Sequence, residues 1–210
     1  TSNFGGGACW TLDEVKDVAV ASKRHGLAMH MDGARLLNAV TATGTSAKDF
    51  ATNCDSTWID LSKGLGCPVG AVLVGSRDFI EESWRWKHQF GGAMRQSGII
   101  AAAGVYALEN HVERLAEDHT NAKRLAQGLM QIPGIEVDPE EPETNMVFFD
   151  TAGTGIDTYE MSERLLRKGL RIGAGYGPRD LMRAVTHLDV NAAGIDTALA
   201  AIRDVASNRE

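Results

Sequence analysis

Apolar and polar positions alternate along this chain in two different rhythms. From Thr11 the residues Val15, Val18 and Ala19 recur at helical spacing, and Thr11 with Glu14 forms a capping-box signature at the start. That pattern predicts a helix running to about Gly26. Leu27-Ala28-Met29-His30-Met31 then reads as a short buried strand that ends on Asp32-Gly33. A helix follows from Ala34 to Val40, and Trp58-Ile59-Asp60-Leu61 reads as the next strand. Helix, strand, helix, strand is the order of an α/β unit with parallel strands. Val69 to Val74 adds a strand, and Asp78 to His88 a helix. Beyond the loop Gly91-Gly92-Ala93-Met94-Arg95, the apolar positions Val105, Leu108, Val112, Leu115 and Ala116 step by three and four. They predict one long helix from Ser97 to about Gln131, stopped by Pro133-Gly134.

After Ile135 the rhythm changes. A strand is expected at 145–150, a helix at 158–169, strands at 170–174 and 182–188, and a helix at 191–206. Two domains follow from this: residues 1–130, an α/β layer that includes the linking helix (about 97–131), and residues 131–210, a smaller α+β unit. No internal repeat is visible.

Composition narrows the class. The 210 residues are 43% hydrophobic and 23% charged, values of an ordinary soluble globular protein. No apolar run approaches the roughly 20 residues of a membrane span. A formal net charge of −7 argues against a general nucleic-acid or anionic-membrane surface. Trp84, Trp86 and Phe90 stand among Arg85, Lys87 and His88, as in a base-stacking surface; with that net charge, packing at a subunit interface is the better account. Three cysteines, Cys9, Cys54 and Cys67, are odd in number and lack a CxxC pair. They suit a reducing, cytoplasmic compartment better than a disulfide framework or a zinc site. The chain opens at Thr1 without Met and runs into Asn3-Phe4-Gly5-Gly6-Gly7, with no basic or apolar leader region. It reads as a loop from within a longer protein.

Two polar residues fall where chemistry belongs in such a layer. Ligands of open α/β sheets bind outside the carboxyl ends of the strands. Asp32 closes one predicted strand, with Gly33 next to it. Lys63 follows another, between Ser62 and Gly64, with Gly66 beyond. Singly, an Asp-Gly is a common turn and a Ser-Lys-Gly a common surface loop. On consecutive strands with the same polarity they match the needs of pyridoxal 5′-phosphate. That cofactor takes a lysine amine as a Schiff base and a carboxylate that keeps its ring nitrogen protonated. His30, two residues before Asp32, shares its face of the strand and either bonds Asp32 or packs as a core histidine. His25, His88, His111 and His119 read as surface.

Three blocks closely resemble the L-threonine aldolases: His30-Met31-Asp32-Gly33-Ala34-Arg35, Leu61-Ser62-Lys63-Gly64-Leu65-Gly66-Cys67-Pro68-Val69-Gly70 and Gly91-Gly92-Ala93-Met94-Arg95-Gln96. Tyr106-Ala107-Leu108-Glu109-Asn110, Val112-Glu113-Arg114-Leu115-Ala116 and Arg183-Ala184-Val185-Thr186-His187 are similar to that family too, and the likeness runs through nearly the whole chain in order. It implies a fold-type-I pyridoxal-phosphate enzyme: part of a large, mostly parallel α/β domain plus a small C-terminal α+β domain. The implied reaction cleaves threonine, allo-threonine or a related β-hydroxy-α-amino acid to glycine and an aldehyde. By position, Lys63 would bind the cofactor and Asp32 would pair with its ring nitrogen. Arg35 would reach its phenolic oxygen, Arg95 its phosphate, and Arg183 the substrate carboxylate as a bidentate fork.

His187, four residues past Arg183, would share its strand face. Gly173-Ala174-Gly175-Tyr176-Gly177 lacks the spacing of a nucleotide loop and would be a flexible loop near that arginine. Cys67 stands where the family often has a small residue such as alanine, and is expected to pack as a small apolar group. The family's phosphate turn and its ring-stacking histidine are expected upstream of Thr1, and its general base is sought among upstream histidines or water. The family assembles its active sites between subunits, which implies a homodimer or homotetramer here. Two alternatives stay open: another enzyme of the same fold, such as a β-eliminating lyase or a transaminase, or a truncated chain inactive by itself.

Overall fold

The computed structural model describes residues 6–208. They divide into two compact units: residues 10–115, and residues 6–9 together with 116–208. The first unit contains α1 (Leu12–Arg24), β1 (His30–Gly33), α2 (Leu36–Thr43), α3 (Ala47–Ala51), β2 (Ser56–Asp60), β3 (Ala71–Gly75), α4 (Arg77–Gln89) and α5 (Gly98–Asn110). In the second are α6 (Leu115–Leu129, from Ala116 onward), β4 (Glu136–Val137), β5 (Met146–Asp150), α7 (Thr158–Arg167), β6 (Gly173–Tyr176), β7 (Leu181–Val185) and α8 (Ala192–Ser207).

Local signals fix the helix starts. The Thr11 hydroxyl accepts the Glu14 amide at 3.2 Å while the Glu14 carboxylate accepts the Thr11 amide at 2.7 Å, so the capping box forms as its sequence predicts. At α3, α4, α7 and α8 the side chains of Ser46, Ser76, Asp157 and Asn191 each accept the backbone amide three residues on. α3 has no counterpart in the predicted elements, being a single capped turn too short for periodicity to register.

Several expectations are corrected. The first strand starts at His30, not Leu27, because its partner β2 starts at Ser56 and the ladder pairs His30 with Ser56. It is not buried either: Leu27 is 64% exposed, and Gly33 is the buried residue of β1. β1 and β2 are parallel, but β3 runs antiparallel to β2. Only residues 61–70 join β2 to β3, and a parallel return needs a crossover of about a dozen residues or more. β6 begins at Gly173 rather than 170, because the Leu170 amide still closes the end of α7 on the Leu165 carbonyl at 3.0 Å.

The long helix expected over 97–131 is two helices. Residues 111–114 contain neither glycine nor proline, so the sequence gives no stop. The break is tertiary: His111 Nδ1 lies 2.6 Å from the Leu65 carbonyl oxygen, and Leu115 begins a new helix. The division between units therefore falls at Leu115 and Ala116, not near 130. α6 turns Ala122, Leu125, Ala126 and Leu129 into the core of the second unit, alongside Val147, Phe149, Met161, Met182 and Ile202.

The second sheet has the order β4-β5-β7-β6 and is antiparallel throughout. The first unit holds two smaller cores. One joins Leu61, Leu65, Cys67 and Ala107; the other joins Val15, Leu36 and Phe50. Cys67 packs as the small apolar group expected, 94% buried. Of the N-terminal glycine run, Gly6 and Gly7 are described, and the Gly7 carbonyl accepts the Thr144 hydroxyl at 2.9 Å. The reading of Asn3 to Gly5 as a loop lies outside the described residues.

Candidate active site

Asp32 stands opposite Trp58 in the parallel ladder between β1 and β2. Residues directly opposite share a face of the sheet, as do residues two apart on one strand. One face of the first sheet therefore carries His30 and Asp32 on β1, and Ser56, Trp58 and Asp60 on β2. Asp32 is exposed on it, and its Oδ1 accepts the Ala34 amide at 3.0 Å, a turn that aims the carboxylate outward from the strand end. Gly33 is required beside it. A Cβ there would lie 2.1 Å from the Trp58 carbonyl oxygen, so only glycine lets the two strands approach this closely.

Lys63 leaves β2 and folds back over it. Its Nζ lies 5.3 Å from the centre of the Trp58 ring and donates to Asp60 Oδ2 at 2.6 Å. The loop is closed by the Gly66 amide on the Lys63 carbonyl at 2.8 Å and by the Cys67 amide on the Leu61 carbonyl at 2.9 Å. Lys63 and Asp32 thus meet the same sheet face at the carboxyl ends of neighbouring parallel strands. An amine over an indole and an outward carboxylate on the neighbouring strand suit the aldehyde and the ring nitrogen of pyridoxal phosphate.

Asp60 is the residue that the sequence reading missed. Its side chain is only 11% exposed, and it accepts the Ser62 amide and the Ser62 hydroxyl on Oδ1, each at 2.7 Å, besides Lys63. Burial pushes its carboxyl up; the hydrogen bonds from Lys63 and Ser62 more than offset this and hold it below the usual carboxylate range. A signal existed, an acid three residues before the candidate lysine, but within a predicted strand it looked like an ordinary alternating polar position.

Arg35 occupies the N-cap position of α2, half-buried, and lines the same small cavity as Asp60 and Gly64. Arg95 is exposed in the loop after α4, and among the described residues no hydrogen bond or ion pair ties it to the Lys63 face.

Arg183 belongs to the second unit, half-buried on β7 and opposite Phe148 and Gly173. Its guanidinium sits 4.1 Å from the centre of the Tyr176 ring, which also meets Phe148 edge-on at 6.5 Å between centroids. The Tyr176 ring folds across Gly173, where a Cβ would fall 2.7 Å from its Cε2. The stretch expected as a flexible loop is thus largely strand β6, and its tyrosine props the arginine.

The histidines differ from expectation. His30 is exposed and pairs with Ser56 Oγ at 2.8 Å, so it neither packs in a core nor bonds Asp32. His111 is half-buried on the Leu65 carbonyl. His119 is 93% buried, and that burial pulls its pKa below the ordinary histidine value. Both were taken for surface because their helical neighbours in sequence are polar. His187 Nδ1 lies 3.5 Å from Asp189.

Comparison with known proteins bears on this arrangement. Residues 1–152 match the family model described as beta-eliminating lyase. The chain is 42% identical over 189 residues to the low specificity L-threonine aldolase of Escherichia coli O157:H7, covering 90% of this chain and 54% of that protein. It is 38% identical over 195 residues to low-specificity L-threonine aldolase 1 of Arabidopsis thaliana, covering 92% and 54%. Among solved structures, a threonine aldolase of Leishmania major superposes with a TM-score of 0.74 at 19% identity, covering 96% of this chain and 58% of that one. The chain spans about half the length of the curated relatives it matches.

Proposed function

This chain belongs to the beta-eliminating lyase family, and on that premise we propose that it is the downstream part of a pyridoxal-phosphate-dependent threonine aldolase. The observation that carries the reading is the shared sheet face on which Asp32 and Lys63 flank Trp58. The relatives named as threonine aldolases support the substrate class, threonine, allo-threonine or a related β-hydroxy-α-amino acid.

In this reading Lys63 binds the cofactor through its amine, and Asp32 holds a proton at the ring nitrogen. When bound, pyridoxal phosphate supplies the sink for the electron pair left at the substrate Cα as the Cα–Cβ bond breaks. Arg183 takes the substrate carboxylate in a bidentate grip, and Tyr176 keeps the guanidinium plane fixed. Arg35, at the head of α2, contacts the cofactor's phenolic oxygen. Arg95 meets the phosphate, which requires its loop to lie against the site in the assembled enzyme. A homodimer or homotetramer fits the exposed Trp84 and Trp86 of α4 and Phe90 just after it. Three free cysteines fit a reducing, cytoplasmic setting.

The test is chemical trapping. Incubation with pyridoxal phosphate and borohydride should label Lys63, and L-threonine should yield glycine and acetaldehyde. Lys63→Ala should lose both. Label retained in that variant would sink the assignment, and keto-acid formation in place of glycine would move the chain to a transaminase.

A further inference from the structure

We propose that Asp60 is a positioning residue for the Lys63 amine, holding Nζ as an ammonium over Trp58 whenever the amine is not engaged by pyridoxal phosphate. The proposal rests on reading Lys63 as the cofactor lysine. Its basis is a carboxylate oriented before the lysine reaches it. Asp60 is the last residue of β2, its backbone fixed by the ladder to Ala71. Both donors of Ser62, amide and hydroxyl, take Oδ1 at 2.7 Å, which leaves Oδ2 turned toward the lysine. Nζ meets Oδ2 at 2.6 Å, a short, charge-assisted contact. The acid is the more buried partner, with 11% of its side chain exposed against 36% for the lysine. It is therefore the fixed wall, and the flexible lysine is the part that moves.

Other charged and titratable groups among the described residues lie near this face. β1 contributes His30 and Asp32, with His30 bonded to Ser56. α2 contributes Arg35 at its head. The loop contributes Cys67, whose thiol is pushed up first by burial and then by the Asp60 charge, so it stays neutral near pH 7. His111, beyond α5, is engaged with the Leu65 carbonyl. Asp60 Oδ2 is in hydrogen-bond contact with Nζ.

The consequence is a proton requirement. The Lys63 ammonium must first lose one proton to solvent. The amine lone pair then forms the bond to the cofactor's aldehyde carbon, and the aldehyde oxygen leaves as water with the two remaining amine protons. The Asp60 carboxylate holds Nζ until capture, since the amine must leave Oδ2 to reach the aldehyde. It also gives the lysine a defined resting place when substrate displaces it.

The experiment follows the rate of pyridoxal-phosphate capture at Lys63, by borohydride trapping and peptide mapping, across pH. It compares the wild-type protein with Asp60→Asn, Asp60→Glu and Ser62→Ala. Asp60→Asn should give severalfold faster capture at neutral pH, because the amine no longer has to leave a charged partner. Turnover should fall with little change in KM. Asp60→Glu should keep the rate near that of the wild type, and Ser62→Ala should move it in the same direction as Asp60→Asn, but less. A capture profile in Asp60→Asn that coincides with the wild type overturns the inference. If Asp60→Asn fails to fold, Ser62→Ala decides by the same criterion. Label found elsewhere than Lys63 in the wild type would instead count against the cofactor reading, so the two failures are distinguishable.

Discussion

The two sheets of this molecule are finished to different degrees. In the second unit β5 is buried from Met146 to Phe149, and α6, α7 and α8 close over it with Met161, Leu165 and Ile202 at 0% exposure. In the first, every residue of β3 is exposed and α4 buries none of its residues, although Val72, Leu73, Val74 and Phe79 are apolar. The antiparallel sheet completes its own core, whereas the three-stranded sheet carries the candidate chemistry on a framework with large apolar surface still open. Sequence alone hides this contrast, because an apolar β-strand reads the same whether or not anything covers it.

The largest expected effect sharpens that contrast. Met161→Ala should cost about 2–5 kcal/mol, the range for emptying a well-packed core site. The equally apolar Leu73→Ala, with 40% exposure before the change, should cost under about 1 kcal/mol in the isolated chain. Urea unfolding followed by segment-resolved hydrogen exchange would read both; equal costs would show that β3 is packed as tightly as α7.

A smaller effect is expected from Gly33→Ala. The Cβ must push against the Trp58 carbonyl oxygen, so the strands part at the roughly 1–3 kcal/mol typical of overpacking. Capture of pyridoxal phosphate at Lys63 should fall while amide protection in the second unit stays as it was. Unchanged capture would mean that the β1–β2 spacing does not matter to the site.

The smallest is a pH effect confined to the second unit. Burial lowers the pKa of His119, with Asp118 opposing the shift and Lys123 adding to it. As pH falls, the unfolded chain takes up this proton before the folded one. The contribution to stability is therefore complete above the ordinary histidine value of 6.5 and lost as pH falls through the depressed folded value. His119→Asn should flatten that dependence in the second unit and leave the first untouched. A dependence of equal slope in the variant would assign it to another group.

Much of this protein was legible because the information is local. The Thr11 capping box and the helices expected at 158–169 and 191–206 depend on residues within a turn or two of each other, so the sequence alone determines them. Asp32 and Lys63 were legible for a related reason: each lies beside glycine at the end of an apolar run, and strand polarity puts those ends together. What depended on partners far along the chain was not legible. Ser56 decided where β1 begins, a ten-residue loop reversed β3, and the Leu65 carbonyl broke the long helix at His111. Tertiary structure alone buried His119, laid Tyr176 on Arg183 and turned Asp60 from one more polar position into the partner of Lys63. A hydrogen bond or buried contact between distant residues leaves no periodicity in the sequence, and only folding reveals it.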